Sequence, residues 1–290
     1  MFPGFKSAQI TTSGAQINLV YGGSGPPVLL LHGYPQSHVI WHGAAPQLAE
    51  HFTVVAPDLR GYGDSSKPFG EPDHSTYSKR EMARDQVEVM AELGFERFVV
   101  IGHDRGARVG HRMTLDEPER VQRLAVIDIV PTYHIFKTIN QTMATAYYHW
   151  FFLIQPYDMP ERMIGADPLY YFHKKICSLG TPREAFAPEA LAEYERCFSD
   201  PAMIHASCED YRAAASIDLV HDEADRQRRI DCPLLALWGA HGRINSAYNV
   251  LDVWRDYAND VRGHTVPAGH HLVEERPAET LAALMTFLQE

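Results

Sequence analysis

The residues best suited to chemistry lie at Gly102-His103-Asp104-Arg105-Gly106, where an acid is flanked two positions away on each side by glycine. The apolar run 98–101 precedes this stretch, and residues 107–113 read as the start of a helix. Glycines so placed allow a tight strand-to-helix turn without Cβ clashes. The central side chain is then thrust out at the carboxyl end of a sheet. Such a turn is a nucleophile elbow, usually met as Gly-x-Ser-x-Gly, here with Asp104 in the serine's place. Asp between glycines is also an ordinary turn pattern; its position between strand and helix gives it weight. A carboxylate is already ionised at neutral pH, so it can displace a leaving group from saturated carbon and become an alkyl ester. Hydrolysis of that ester requires a general base and an oxyanion hole.

The base is expected after the last strand, where Gly269-His270-His271 stands, and the residue directly after the glycine is the better placed of the two histidines. A histidine base needs a carboxylate to fix its tautomer and stabilise its cation. The strand ending at Trp238-Gly239 is followed by Ala240-His241-Gly242-Arg243, which contains no acid. The preceding strand ends in Asp128. As a lone residue Asp128 reads equally as a turn or cap, but the missing acid at 240–243 makes it the favoured partner. The oxyanion hole is expected from two backbone N–H groups, those of Arg105 and of Tyr34 in His32-Gly33-Tyr34-Pro35. Arg105 and Arg108 share a helix face near Asp104. A guanidinium pair at the mouth of a site suits a carboxylate, against the plainer alternative that Arg108 pairs with a cap or core acid.

These residues must be positioned by a sheet. Short apolar runs at 28–31, 52–56, 98–101, 124–127 and 234–238, with a weaker one at 264–266, alternate with segments of helical period such as 80–93. That alternation predicts a largely parallel sheet covered by helices. The rhythm breaks between about residues 131 and 211, which carry helical signals, no buried strand and the aromatic cluster Tyr147-Tyr148-His149-Trp150-Phe151-Phe152. A helical insertion between two strands of one sheet reads as a cap over the substrate site. The expected division is a core of residues 1–132 and 217–290 with a cap of 133–216.

Composition narrows the function. The 290 residues carry 26 basic and 37 acidic side chains, a formal charge of −11. A global basic surface for nucleic acid or anionic membrane is therefore not expected, and a small anionic substrate must be attracted by a few local arginines. No apolar stretch reaches the roughly 20 residues of a membrane span. Residues 1–15 lack the pattern of a secretory signal. The four cysteines, Cys177, Cys197, Cys208 and Cys232, form no Cys-x-x-Cys pair, so reduced thiols in a cytoplasmic protein are expected. Sixteen histidines include one helical pair, His38 and His42, with no third ligand nearby; no metal site is expected.

Taken together the motifs resemble the fluoroacetate (haloacetate) dehalogenases of the α/β-hydrolase superfamily. The resemblance rests on His32-Gly33-Tyr34-Pro35-Gln36, Asp58-Leu59-Arg60-Gly61-Tyr62-Gly63, the segment 102–108, Asp128-Ile129-Val130-Pro131-Thr132-Tyr133, Tyr148-His149-Trp150, Cys208-Glu209-Asp210-Tyr211-Arg212-Ala213 and Gly269-His270. The first two are generic to the superfamily; the Arg-Gly-Ala-Arg, His-Trp and Asp-Tyr-Arg segments are more specific. The resemblance implies an α/β fold with a mostly parallel eight-stranded sheet and an inserted helical cap. It further implies Asp104 as nucleophile, His270 as base with Asp128 as its partner, and Arg105 and Arg108 on the substrate carboxylate. His149, Trp150 and Tyr211 would donate hydrogen bonds to the departing halide, where residue types alone would make Trp150 cap packing. No cofactor is implied, and a homodimer is plausible by the same resemblance. The alternative is an epoxide hydrolase using the same acid–base set with Tyr147, Tyr148 or Tyr211 as proton donor, but an arginine pair has no purpose for a neutral epoxide. A haloalkane dehalogenase is disfavoured for the same reason, and a non-catalytic relative because every expected position is filled.

Overall fold

The computed structural model describes residues 1–290. Eight strands form one sheet: β1 (Lys6–Thr11), β2 (Gln16–Gly23), β3 (Pro27–Leu31), β4 (Thr53–Pro57), β5 (Phe98–His103), β6 (Val121–Ile127), β7 (Leu234–Gly239) and β8 (Val261–Val266). Their spatial order is β1-β2-β4-β3-β5-β6-β7-β8. β1 pairs antiparallel with β2, and β2 antiparallel with β4; the remaining neighbours are parallel. The six sequence-predicted strands are all present. β1 and β2 are not announced by an apolar run: β1 is an edge strand with polar residues on an exposed face, as in Lys6-Ser7-Ala8-Gln9, and β2 beside it breaks its apolar residues with Gln16, Asn18 and two terminal glycines.

The central strands are continuous apolar runs because helices cover both faces. Leu29, Leu31, Val55, Val100, Leu124 and Val126 face one side, while Val28, Leu30, Val54, Val99, Ile101 and Ala125 face the other. This is the two-residue alternation of a strand applied to residues that are apolar at every position. The fifteen α-helices are α1 (Ala45–Leu48), α2 (Lys79–Glu92), α3 (Arg105–Asp116), α4 (Thr132–Thr138), α5 (Gln141–Ala146), α6 (Tyr148–Phe152), α7 (Met159–Gly165), α8 (Pro168–Ile176), α9 (Pro188–Phe198), α10 (Pro201–Ala215), α11 (Ile217–Ala224), α12 (Arg243–Ala247), α13 (Val250–Arg255), α14 (Leu272–Glu275) and α15 (Pro277–Gln289). α4 to α11 lie between β6 and β7, so the chain leaves the sheet once and returns after an all-helical excursion. None of the helices is long and apolar enough to cross a membrane.

β3 lies between β4 and β5. The chain therefore leaves β3 toward one side and later reaches β5 on the other. At such a switch point the connections diverge and open a crevice beyond the carboxyl ends of the two strands. Tyr34 follows β3 and Asp104 follows β5, so the two meet across this crevice.

Candidate active site

The elbow owes its shape to close approach. A Cβ on Gly102 would stand 2.5 Å from the Cα of Ala107, and one on Gly106 would stand 2.5 Å from the carbonyl of Leu31. The helix α3 can pack this tightly on β5 and β3 only where those side chains are missing. Between them Asp104 takes φ 44°, a left-handed value that non-glycine residues rarely adopt and that marks functional turns. Gly33 makes room from the opposite side, since a Cβ there would stand 2.7 Å from that of Asp104.

Oδ2 of Asp104 accepts a hydrogen bond from the backbone N–H of Tyr34 at 3.1 Å. Burial alone would raise the pKa of this carboxyl, but His270, Arg108, His103 and Arg105 outweigh it and hold it below the ordinary value. Asp104 is thus kept as an anion with a backbone donor on one oxygen.

Nδ1 of His270 lies 2.6 Å from Oδ2 of Asp128, and the other oxygen of Asp128 accepts from the N–H of Gly239 at 3.0 Å. Asp128 itself takes φ 54°, a turn that carries its carboxylate across the end of β7. The loop 240–243 accommodates it: a Cβ on Gly242 would lie only 3.4 Å from Oδ1. The structure thus brings together His270 and Asp128, two residues the sequence singled out. His271 is tied elsewhere, its Nδ1 3.1 Å from Oε1 of Gln36. Gln36 in turn donates to Glu274, which also accepts from the hydroxyl of Tyr194 at 2.9 Å. Burial raises the carboxyl of Glu274 to about 8. Nε2 of His103 sits 2.9 Å from the carbonyl of His270; burial and the neighbouring His270 push its pKa down to about 3, so it donates and steadies the loop that carries the base.

The arginines are not at the mouth, as the sequence suggested, but buried: Arg105 is 0% and Arg108 3% exposed. The cap closes over them. Nε and Nη2 of Arg105 donate to the two carboxylate oxygens of Asp210 at 2.9 and 2.7 Å, while its Nη1 has no partner. Asp210 also accepts from Tyr62 at 2.7 Å and from the ammonium of Lys79. Burial would raise its pKa, but Arg105 and Lys79 hold it far below the ordinary carboxylate range. It is therefore Arg105, not Arg108, that pairs with a cap acid. Arg108 bonds through Nη1 to the carbonyl of Val130 and the hydroxyl of Thr132 at 3.0 and 3.1 Å, and its Nε is unpartnered. Its guanidinium lies 4.7 Å above the ring of Trp150, and that of Arg105 lies 4.2 Å above the ring of Tyr211.

Three cap side chains converge here. The ring of His149 is 5.7 Å from that of Tyr211, and Trp150 is 6.1 Å from Tyr211. Burial drives His149 well below its usual pKa and the Tyr211 phenol well above its own. Imidazole and phenol are consequently neutral donors, as the expected halide role requires. Asp210, Lys79 and Gln36 carry no role in the sequence reading. Its place beside Tyr211 in Asp210-Tyr211-Arg212 is the one sequence signal for Asp210.

The nitrogens of His103, His270 and His271 come within 4.8 Å of one another, but each ring has one nitrogen committed to the hydrogen bonds above. The helical histidines separate, His38 binding Asp58 at 2.8 Å and His42 the carbonyl of Val39 at 3.0 Å.

Residues 26–277 match the family model described as alpha/beta hydrolase fold. The chain is 47% identical to the fluoroacetate dehalogenase of Burkholderia sp, over 100% of this chain and 96% of that one. It is 33% identical to the soluble epoxide hydrolase of Corynebacterium sp. (strain C12), over 96% of each. Among solved structures, an α/β hydrolase from Nostoc sp PCC 7120 superposes with a TM-score of 0.98 at 59% identity, covering 99% of both chains. The chain belongs to the α/β-hydrolase family, in the branch that holds fluoroacetate dehalogenase.

Proposed function

We propose that this enzyme hydrolyses short 2-haloacids, fluoroacetate or chloroacetate, to glycolate and halide. The observation that carries the reading is the pair of buried guanidinium N–H groups beside Asp104, Nη1 of Arg105 and Nε of Arg108, that have no partner in the protein. Buried donors left unsatisfied are costly, and a small carboxylate fits two cations that flank a nucleophile.

With the substrate carboxylate on these groups, an oxygen of Asp104 attacks the carbon that bears the halogen. The new C–O bond forms as the C–X pair leaves with the halogen, and the aspartate becomes a neutral alkyl ester. His149, Trp150 and Tyr211 stabilise the halide as it forms, binding that grows toward the transition state. His270, oriented by Asp128, then takes a proton from water that attacks the carboxyl carbon of Asp104. The N–H of Tyr34, already on Oδ2, stabilises the oxyanion with that of Arg105. Collapse releases glycolate, to which His270 returns the proton, and leaves Asp104 as the carboxylic acid, which gives up the water's second proton to become the anion again. The net reaction adds one water and releases halide and one proton.

The epoxide hydrolase reading draws on the Corynebacterium relative and on Tyr147 and Tyr211, both of which lie within electrostatic reach of Asp104. It leaves the two guanidinium groups without a task. Halide release from chloroacetate and fluoroacetate, run beside diol formation from styrene oxide, separates the two. The expected result is halide release that Asp104→Asn abolishes; turnover of styrene oxide alone would overturn the proposal.

A further inference from the structure

Seven lysines and arginines are buried in this fold, and all but one are held by the protein. Arg60 pairs with Asp85, Lys79 and Arg105 with Asp210, Arg112 with Asp116 and Arg212 with Glu161, while Arg108 bonds to Val130 and Thr132. The exception is Lys175 on α8, 2% exposed, with neither an ion pair nor a hydrogen bond to its ammonium. Nζ lies 6.0 Å from the centre of the Tyr34 ring. That ring stacks 6.5 Å from His149 and meets Tyr211 edge-on at 5.3 Å, and the backbone N–H of the same tyrosine binds Asp104. The ammonium charge is felt at His149 and His271, and Asp104 is the charged group that acts on it.

Displacement at carbon moves one negative charge. It starts on Asp104 and ends on the halide, leaving the aspartate a neutral ester. His149, Trp150 and Tyr211 offer hydrogen bonds but no net positive charge, and Arg105 and Arg108 are occupied by the substrate carboxylate. A desolvated halide would then be a buried anion without a cation, which is strongly unfavourable. Resting on the dehalogenase reading, we propose that Lys175 is the cation that receives the departing halide, exchanging Asp104 for the halide as its counter-ion when the C–X bond breaks. No proton moves in this exchange.

Burial lowers the Lys175 pKa to about 8 despite the opposing pull of Asp104. The groups around it are otherwise fixed at neutral pH. Asp104 is ionised, His149 and His271 are neutral, and burial raises the phenols of Tyr34, Tyr171, Tyr194 and Tyr211 and the thiols of Cys197 and Cys208. Glu274, joined through Gln36 to His271, titrates in the same range at about 8. Turnover should therefore fall as pH rises through the Lys175 value, and the test must tell that lysine from Glu274.

The experiment assays the full-length enzyme, Lys175→Met and Lys175→Arg with bromoacetate, chloroacetate and fluoroacetate, adding bromide as a product inhibitor, across the alkaline range. Lys175→Met is expected to weaken bromide inhibition about tenfold, the size of one charge-assisted contact, and to slow fluoroacetate more than bromoacetate. Its thermal midpoint should not fall, since an unpaired buried charge is replaced by an apolar side chain. Lys175→Arg is expected to keep bromide inhibition and lose the alkaline decline, because a guanidinium does not titrate there; it also decides the matter should the methionine variant fail to fold. Unchanged bromide inhibition and halide preference in Lys175→Met, or an alkaline decline that persists in Lys175→Arg, would overturn the role of Lys175 while the dehalogenase reading stands. A wild-type enzyme that releases no halide from any of the three acids would overturn that reading, and the Lys175 role with it.

Discussion

Arg105 and Arg108 stand one helical turn apart, yet the protein holds them differently, and the difference separates stability from binding. Arg105 is one of two cations on Asp210, which is 0% exposed. Removing Arg105 leaves Asp210 to Lys79 alone, a cation it shares with Asp218, and breaking a buried ion pair costs up to about 3–5 kcal/mol. Arg108 leans on a carbonyl and a hydroxyl, neutral groups that lose less when it is cut away. Arg105→Ala should therefore lower both urea stability and haloacetate turnover. Arg108→Ala should lower kcat/KM for chloroacetate about 100-fold, as loss of a charge-assisted contact implies, with a much smaller change in stability. Equal urea midpoints for the two variants would contradict the assignment of Asp210 as a partner of Arg105 and not of Arg108. Asp104, His270, Asp128 and both arginines were legible in the sequence because the elbow, the last-strand glycine and the vacancy at 240–243 are local patterns. Asp210 and Lys175 were not, since the same side chains on an exposed helix face would be solvated charges. Only the closing of α8 and α10 over the sheet gives them their meaning.

Elements fix the loops that carry the site. β3, β5, β6 and β7 announce themselves as unbroken apolar runs, whereas β1 is hidden because an edge strand needs no such run and β2, beside it, because Gln16, Asn18 and its glycines interrupt one. The histidine loop after β8 is held by the chain His271–Gln36–Glu274–Tyr194, which ties together the loop after β3, α14 and α9. Glu274 makes this tie pH-dependent. Its folded pKa, about 8, lies above the roughly 4.3 of a free glutamate. Between those values the native protein holds a proton that the unfolded chain has lost, so stability contributed here is full below the unfolded value and declines as pH rises to about 8. Glu274→Gln cannot ionise, can accept from Gln36 and can donate to Tyr194. It should flatten the fall in thermal midpoint between about pH 5 and about pH 8 and be more stable than the parent at the upper end. A parallel fall in both proteins would show that the carboxyl is not protonated in the fold.

At the scale of the molecule, cap and sheet are not separate cores. One cluster runs from Leu124, Val126 and Val100 in the strands through Trp150, Phe172, Phe198 and Tyr211 in the helices between β6 and β7. The site lies inside that cluster: Asp104 is 7% and His270 3% exposed, so the acid and the base are both held away from bulk solvent. The arrangement also couples stability to chemistry, because the walls that exclude water from Asp104 are the packing that keeps the helices on the sheet. If the cluster is a single cooperative unit, destabilising either side must unfold both. Phe172 on α8 and Leu124 on β6 are each 0% exposed, and truncation to alanine costs about 3–5 and 2–5 kcal/mol for such residues. Phe172→Ala and Leu124→Ala should each move one urea transition to lower concentration, with far-UV ellipticity and tryptophan fluorescence changing together. A second, earlier transition in Phe172→Ala that spares the sheet would mean that the helices fold apart from it. The counter-charges of Arg105 and Lys79 would then be drawn from a mobile layer, and the fixed electrostatics around Asp104 could not be a property of the native state as a whole.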